Sequence, residues 1–147
     1  MDSKSKEKLF EIWRKKSAEK FADKPEHIIT YNGEIYTAGE VQFLRYVKEK
    51  PGKTSIQLSN ESGKTRGTVS LIIKKLVEKE LILFNDSPVH GKKKIIVITP
   101  LGYEICRIRE EYDRKDCLEF ITELSKNYSS EEISQAISII CDIISMI

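Results

Sequence analysis

No run of apolar residues in this 147-residue chain approaches the roughly 20 needed to cross a bilayer. The charged start, Met1 to Lys8, lacks the apolar stretch of a secretory signal. Three cysteines, an odd number with no CxxC pair, argue against a disulfide scaffold or a zinc knuckle. The two histidines, His27 and His90, lie far apart, and neither has a cysteine at zinc-site spacing. Seven glycines form neither a dinucleotide fingerprint nor a phosphate loop, and no nucleophile-and-base motif is present. These gaps point away from an enzyme, a cofactor, a metal and a membrane. They fit a reduced, cytoplasmic setting.

Charge is abundant: 33% of residues are charged and 39% are apolar, against a globular norm of about 25% charged. The apolar residues fall in periodic blocks, so the excess charge reads as long exposed helix faces and not as disorder. A net charge of +2 says little by itself. From Pro51 to Thr99, however, nine basic residues face four acidic ones, while the rest of the chain holds sixteen basic and nineteen acidic. A basic centre between acidic ends suits a nucleic-acid-reading module, although chance clustering would give the same count.

The spacing predicts a first helix over about 3–22, with Leu9, Phe10, Trp13, Ser17 and Phe21 on one face and Pro25 beyond its end. Two short β-prone runs flank Asn32-Gly33, a hairpin signal, with a crossing loop as the equal alternative. Thr37 with Glu40 and Thr54 with Gln57 are capping boxes that open two helices, and Pro51-Gly52 closes the first. Ser62-Gly63 makes a turn, and Thr65 caps a third helix from Arg66 to about Lys79. The runs 81–85 and 94–99 read as a hairpin with a polar, basic tip. Thr99-Pro100 then starts a long helix to about Leu124. Ser129 with Glu132 starts the last, whose Ile133, Ala136, Ile137, Ile140 and Ile144 share a face.

Two short helices around a glycine turn, followed by a hairpin, describe a winged helix-turn-helix. On a 100° wheel Val69, Ile72, Ile73 and Leu76 gather on the side that packs inward. Arg66, Gly67, Ser70, Leu71 and Lys74 fall opposite, with Lys75 at the margin. Such a helix can lie in a DNA major groove. Arg66 can pair with a guanine edge or a phosphate, Lys74 most simply meets phosphate, and Gly67 and Ser70 let the backbone come close. The predicted DNA contacts are Thr54, Lys64, Thr65, Arg66, Gly67, Thr68, Ser70, Lys74 and Lys75, with His90, Lys92 and Lys93 from the hairpin tip. An ordinary solvated helix face and a lysine-rich edge device are the plain alternatives for the cations. The order of the elements favours DNA over both.

The segments TSIQLSNESGKTRGTVSLIIKKLVEKELI (Thr54 to Ile82) and VITPLG (Val97 to Gly102) resemble the MarR family of transcription regulators. The resemblance spans about Thr37 to Gly102, with flanking helices in the expected places. It implies a mainly α fold with a small β-wing: a winged helix-turn-helix core at 37–99, flanked by dimerisation helices at 1–22 and 100–147. It further implies a homodimer on a pseudo-palindromic operator of double-stranded DNA, acting most simply as a repressor, with a possible small-molecule effector. Two positions depart from the family pattern. His90-Gly91-Lys92 stands where many members carry Asp-x-Arg, and Phe84 stands where arginine is common. Cys106, Cys117 and Cys141 fall in the C-terminal helices, away from the first-helix position of the family's peroxide-sensing cysteine, and are expected to be structural. Trp13, Tyr31, Tyr36 and Tyr46 are expected to pack in the core or an interface in preference to lining a cavity. The rival reading is a winged-helix adaptor for protein contact, without an operator.

Overall fold

The computed structural model describes residues 1–21, 28–87 and 91–147, so Pro25, His27 and His90 lie outside the described residues, as do the side chains of Ser17 and Phe21. The chain divides into two compact units, one of Phe21–Arg109 and one of Met1–Lys20 with Glu110–Ile147. The element order is α1 (Ser3–Phe21), β1 (Ile29–Tyr31), β2 (Glu34–Tyr36), α2 (Ala38–Glu49), α3 (Ser55–Ser62), α4 (Arg66–Glu78), β3 (Ile82–Asp86), β4 (Lys94–Ile98), α5 (Pro100–Leu124) and α6 (Ser130–Met146).

In the unit Phe21–Arg109, β1 and β2 form an antiparallel hairpin with Tyr31 paired to Glu34. The hairpin alternative at Asn32-Gly33 is therefore the one realised. Both turn residues have positive φ, 49° and 79°, the combination a two-residue hairpin needs and that Asn-Gly supplies with little strain. Each of the next three helices starts at the threonine the sequence marks. Thr37 accepts from the Glu40 N–H while Glu40 accepts from the Thr37 N–H. Thr54 and Gln57 repeat the exchange, and Thr65 accepts from the Thr68 N–H at 3.2 Å. Such caps each contribute about 1 kcal/mol.

Apolar stripes of these helices close on one another. Val41, Leu44 and Val47 of α2, Leu58 of α3, and Val69, Ile73 and Leu76 of α4 are buried together with Leu81, Ile82, Ile96 and Ile105. Tyr36 is buried in this core, and Tyr31 and Tyr46 pack against it, as expected of packing aromatics. β3 and β4 pair antiparallel from Ile82–Ile98 to Asp86–Lys94, one residue short of the expected bounds at each outer end. A third segment joins this sheet: the Ile96 N–H donates to the Lys53 carbonyl at 2.9 Å, and Thr54 bridges to Ile95.

Two linked junctions hold the C-terminal end of α4. At its C-terminus Glu80 adopts φ +59°, the Glu80 N–H donates to the Val77 carbonyl and the Leu81 N–H to the Leu76 carbonyl. These two bonds are a Schellman stop, here without its customary glycine. The stop is tied to the start of α5 by Thr99, whose hydroxyl donates to the Glu80 carbonyl at 2.7 Å and accepts from the Gly102 N–H at 3.1 Å. Gly102 is packed so closely that an added Cβ would collide with the Leu81 carbonyl oxygen and stand 2.6 Å from Ile98 Cγ1. The VITPLG run is thus a packing joint between hairpin, helix stop and long helix.

The second unit is smaller in its core. Leu9 and Phe10 of α1, Cys117 of α5, and Ile133 and Ile137 of α6 are buried together. The Trp13 and Phe120 rings lie 4.8 Å apart. The Arg114 guanidinium sits 3.9 Å above the Phe10 ring and pairs with Glu7 and Glu110. Its hydrogen bond holds the Glu7 carboxyl below the usual carboxylate range. Burial pushes the Cys117 thiol up, which disfavours the reactive thiolate; Cys106 is also buried, and Cys141 partly so. Only Ile133 and Ile137 of the α6 face turn inward, while Ala136, Ile140 and Ile144 are exposed. No helix among the described residues is long and apolar enough to cross a membrane.

Candidate nucleic-acid interface

The turn between α3 and α4 fixes where α4 begins. Gly63 takes φ +71°, a left-handed position that suits glycine. Around it the Ser59 hydroxyl donates to the Lys64 carbonyl at 3.0 Å, the Ser62 hydroxyl donates to the Ser59 carbonyl, and the Lys64 N–H donates to Ser62 Oγ. Three serine and glycine features therefore hold a tight corner without large side chains. Lys64, Thr65 and Arg66 emerge at the N-terminal end of α4, where backbone N–H groups and the helix dipole favour an anion.

The wheel expected for α4 is the one observed. Val69, Ile73 and Leu76 are buried and Ile72 packs partly against them, while Arg66, Gly67, Thr68, Ser70, Leu71, Lys74 and Lys75 are exposed. Among the described residues the side chains of Lys64, Arg66, Lys74, Lys75, Lys92 and Lys93 have no ion-pair or hydrogen-bond partner. Other cations of the same stretch are engaged. Lys79 donates to Glu40 at 2.8 Å and to the Ile35 carbonyl at 2.7 Å, pinning the back of α4 to the start of α2. Lys53 pairs with Glu61 at 3.1 Å. Lys94 pairs with Asp86 at 2.6 Å across the hairpin and holds the Asp86 carboxyl below its ordinary pKa. The uncommitted cations are thus those of the turn, of α4 and of the hairpin tip.

Thr54 departs from the other predicted contacts. It is 6% exposed, and its hydroxyl is occupied in capping α3, so its place is structural. Thr65 and Thr68 are exposed, and the Thr65 hydroxyl donates to Thr68 Oγ1 at 2.9 Å. The Thr68 hydroxyl proton remains available to an external acceptor. His90 lies outside the described residues; Gly91, Lys92 and Lys93 beside it are exposed.

Gly67 is exposed, and a Cβ built there would meet nothing within 4 Å. Its own fold therefore gives no reason for a residue that costs a helix up to about 1 kcal/mol relative to alanine. A surface that must approach something outside the chain does. Beside α4 lies an open groove of about 330 Å³ walled by Ser55, Ser70, Ile73, Lys74, Val77, Glu78 and Phe84. Phe84 gives it an apolar side where arginine is common in the family resembled. The groove was not legible in the sequence, because nothing local in β3 reveals that Phe84 stands against α4.

The family model for winged helix-turn-helix DNA-binding proteins matches residues 44–82. Among solved structures, apo MarR from E. coli is similar at 18% identity and TM-score 0.66, over 92% of this chain and 93% of that one. Staphylococcus aureus MarR in complex with salicylate and kanamycin is similar at 23% identity and TM-score 0.56, over 92% and 84%. Streptococcus pneumoniae FabT in complex with DNA is similar at 19% identity and TM-score 0.59, over 79% and 78%. No match is found among curated proteins by sequence. With the capped helices, the glycine corner and the paired wing in place, the chain is a winged helix-turn-helix protein with the fold of the MarR transcription regulators.

Proposed function

We propose that this chain is a cytoplasmic, sequence-specific DNA-binding regulator that acts as a homodimer, residues 37–99 docking on DNA and residues 1–22 and 100–147 joining the two copies. The observation that carries the reading is the outer face of α4, where Arg66, Lys74 and Lys75 are uncommitted to any partner within the described residues and stand beside the small Gly67 and Ser70, over a helix fixed at both ends. Arg66 offers a planar fork to a guanine edge. Lys64, Lys74, Lys75, Lys92 and Lys93 meet phosphates. The contacts at Thr65, Thr68 and Ser70 are hydroxyl contacts, and Gly67 allows close approach.

Dimerisation is supported by the outer side of α6, where Ile139, Ile140, Ile143, Ile144 and Met146 are exposed. So large an apolar surface on one short helix asks for cover. A two-fold dimer presents two α4 helices to successive major grooves about 34 Å apart, hence a pseudo-palindromic operator. Bound over a promoter it blocks polymerase, which makes repression the simplest outcome. Salicylate on the S. aureus relative supports a small-molecule effector as a third partner.

Selection of bound fragments from mixed duplexes, followed by a salt series, tests the reading. Tight binding to a few related sequences is expected, with log affinity falling steeply against log salt. A protein-contact adaptor would show neither, and that result would overturn the proposal.

A further inference from the structure

At the centre of the α4 outer face lies a side chain that no electrostatic account uses. Leu71 is 65% exposed, and its helical neighbours at three and four residues are Gly67, Thr68, Lys74 and Lys75, all exposed. A single exposed leucine is commonplace; this one stands between two lysines, Lys74 and Lys75, on its C-terminal side and Gly67, which lacks a side chain, on its N-terminal side. Phosphates cannot use it, and neither can a guanine edge. In a major groove the apolar group within reach of such a side chain is the 5-methyl of thymine.

We infer that Leu71 is a specificity-determining residue that reads a thymine methyl at one position in each operator half-site. The inference rests on the DNA-binding reading above. It assigns the helix two kinds of selectivity: a polar one at Arg66 and an apolar one about a turn and a half further on. The Gly67 gap lets the helix sit deep enough for the leucine to touch the base.

The test replaces each thymine of a selected operator, in turn, by uracil, which removes only that methyl. For the unaltered protein, uracil at one position per half-site is expected to weaken binding about fourfold, the effect of losing one buried methyl group. Leu71→Ala, which alters both subunits, is expected to bind the thymine duplex about as weakly as the unaltered protein binds a duplex with uracil at both half-site positions, and to lose all discrimination between the two duplexes. Because Leu71 is exposed, the alanine variant leaves the core intact. Uracil that weakens both proteins equally, or neither at any position, would overturn the inference while leaving DNA binding standing. Failure of the full chain to select any duplex would overturn both.

Discussion

Helices α4 and α6 each bury one side and expose the other, yet the exposed sides are chemically opposite. On α4 the outer face carries Arg66, Gly67, Ser70, Lys74, Lys75 and Glu78 around one exposed leucine, Leu71; on α6 it carries Ile139, Ile140, Ile143 and Ile144. Water solvates the first and not the second, so the two faces ask for different partners: a polyanion and another apolar surface. The strongest way to break the comparison is to charge the second face. Ile140→Asp with Ile144→Asp is expected to convert a dimer to a monomer in sedimentation at micromolar concentration, since each buried isoleucine contributes about 1.5–3 kcal/mol. Operator affinity should fall at least about 100-fold as the two heads become unlinked. A variant that sediments as the unaltered protein does would show that this face is not the dimer contact.

Two glycines carry the same contrast at smaller scale. At Gly102 the chain itself fills the space, because the Leu81 carbonyl oxygen and Ile98 lie where a Cβ would be. Gly102→Ala is therefore expected to cost about 1–3 kcal/mol of stability, seen as a lower midpoint in thermal or urea unfolding. The backbone carbonyl cannot swing aside as a flexible side chain would. An unchanged midpoint would mean that the junction around Thr99 yields more easily than its hydrogen bonds imply.

How much of this was legible in the residues alone divides along a physical line. Local signals were decisive where structure depends on near neighbours. The capping threonines, the Ser62-Gly63 corner and the inward stripe of α4 stand where spacing placed them, and Asn32-Gly33 resolved to a hairpin. Features set by distant packing were not readable. Nothing in the sequence told that Thr54 is enclosed at the edge of β4, that Lys79 reaches back to Glu40, or that Glu80 takes the left-handed stop usually left to glycine. The charge count from Pro51 to Thr99 treated nine cations as equal, whereas contacts across the fold commit Lys53, Lys79 and Lys94 and concentrate the uncommitted charge on α4 and the hairpin tip.

That concentration makes the first residue of α4 the sharpest probe of the polar face. Arg66→Ala should weaken binding to the selected operator by about 1–3 kcal/mol and relax the preference at one base pair, if its guanidinium pairs with a guanine edge. Loss of affinity with preference retained would place Arg66 on a phosphate instead. Binding unchanged for every duplex would mean that a different register of α4 enters the groove.

The smallest effect separates fold from function most cleanly. Gly67→Ala adds a methyl where the chain leaves open space and where the backbone has no positive φ. Alanine restricts the unfolded chain and favours the helix, so stability should rise by about 0.5 kcal/mol. The same methyl stands between the helix and a groove floor, so operator affinity should fall by a factor on the order of ten, comparable to losing one good base contact. Gly102→Ala, by contrast, should lower stability and leave the affinity of the folded fraction near its starting value. If Gly67→Ala raised stability and bound the operator as tightly as before, close approach at the start of α4 would not be what this glycine serves.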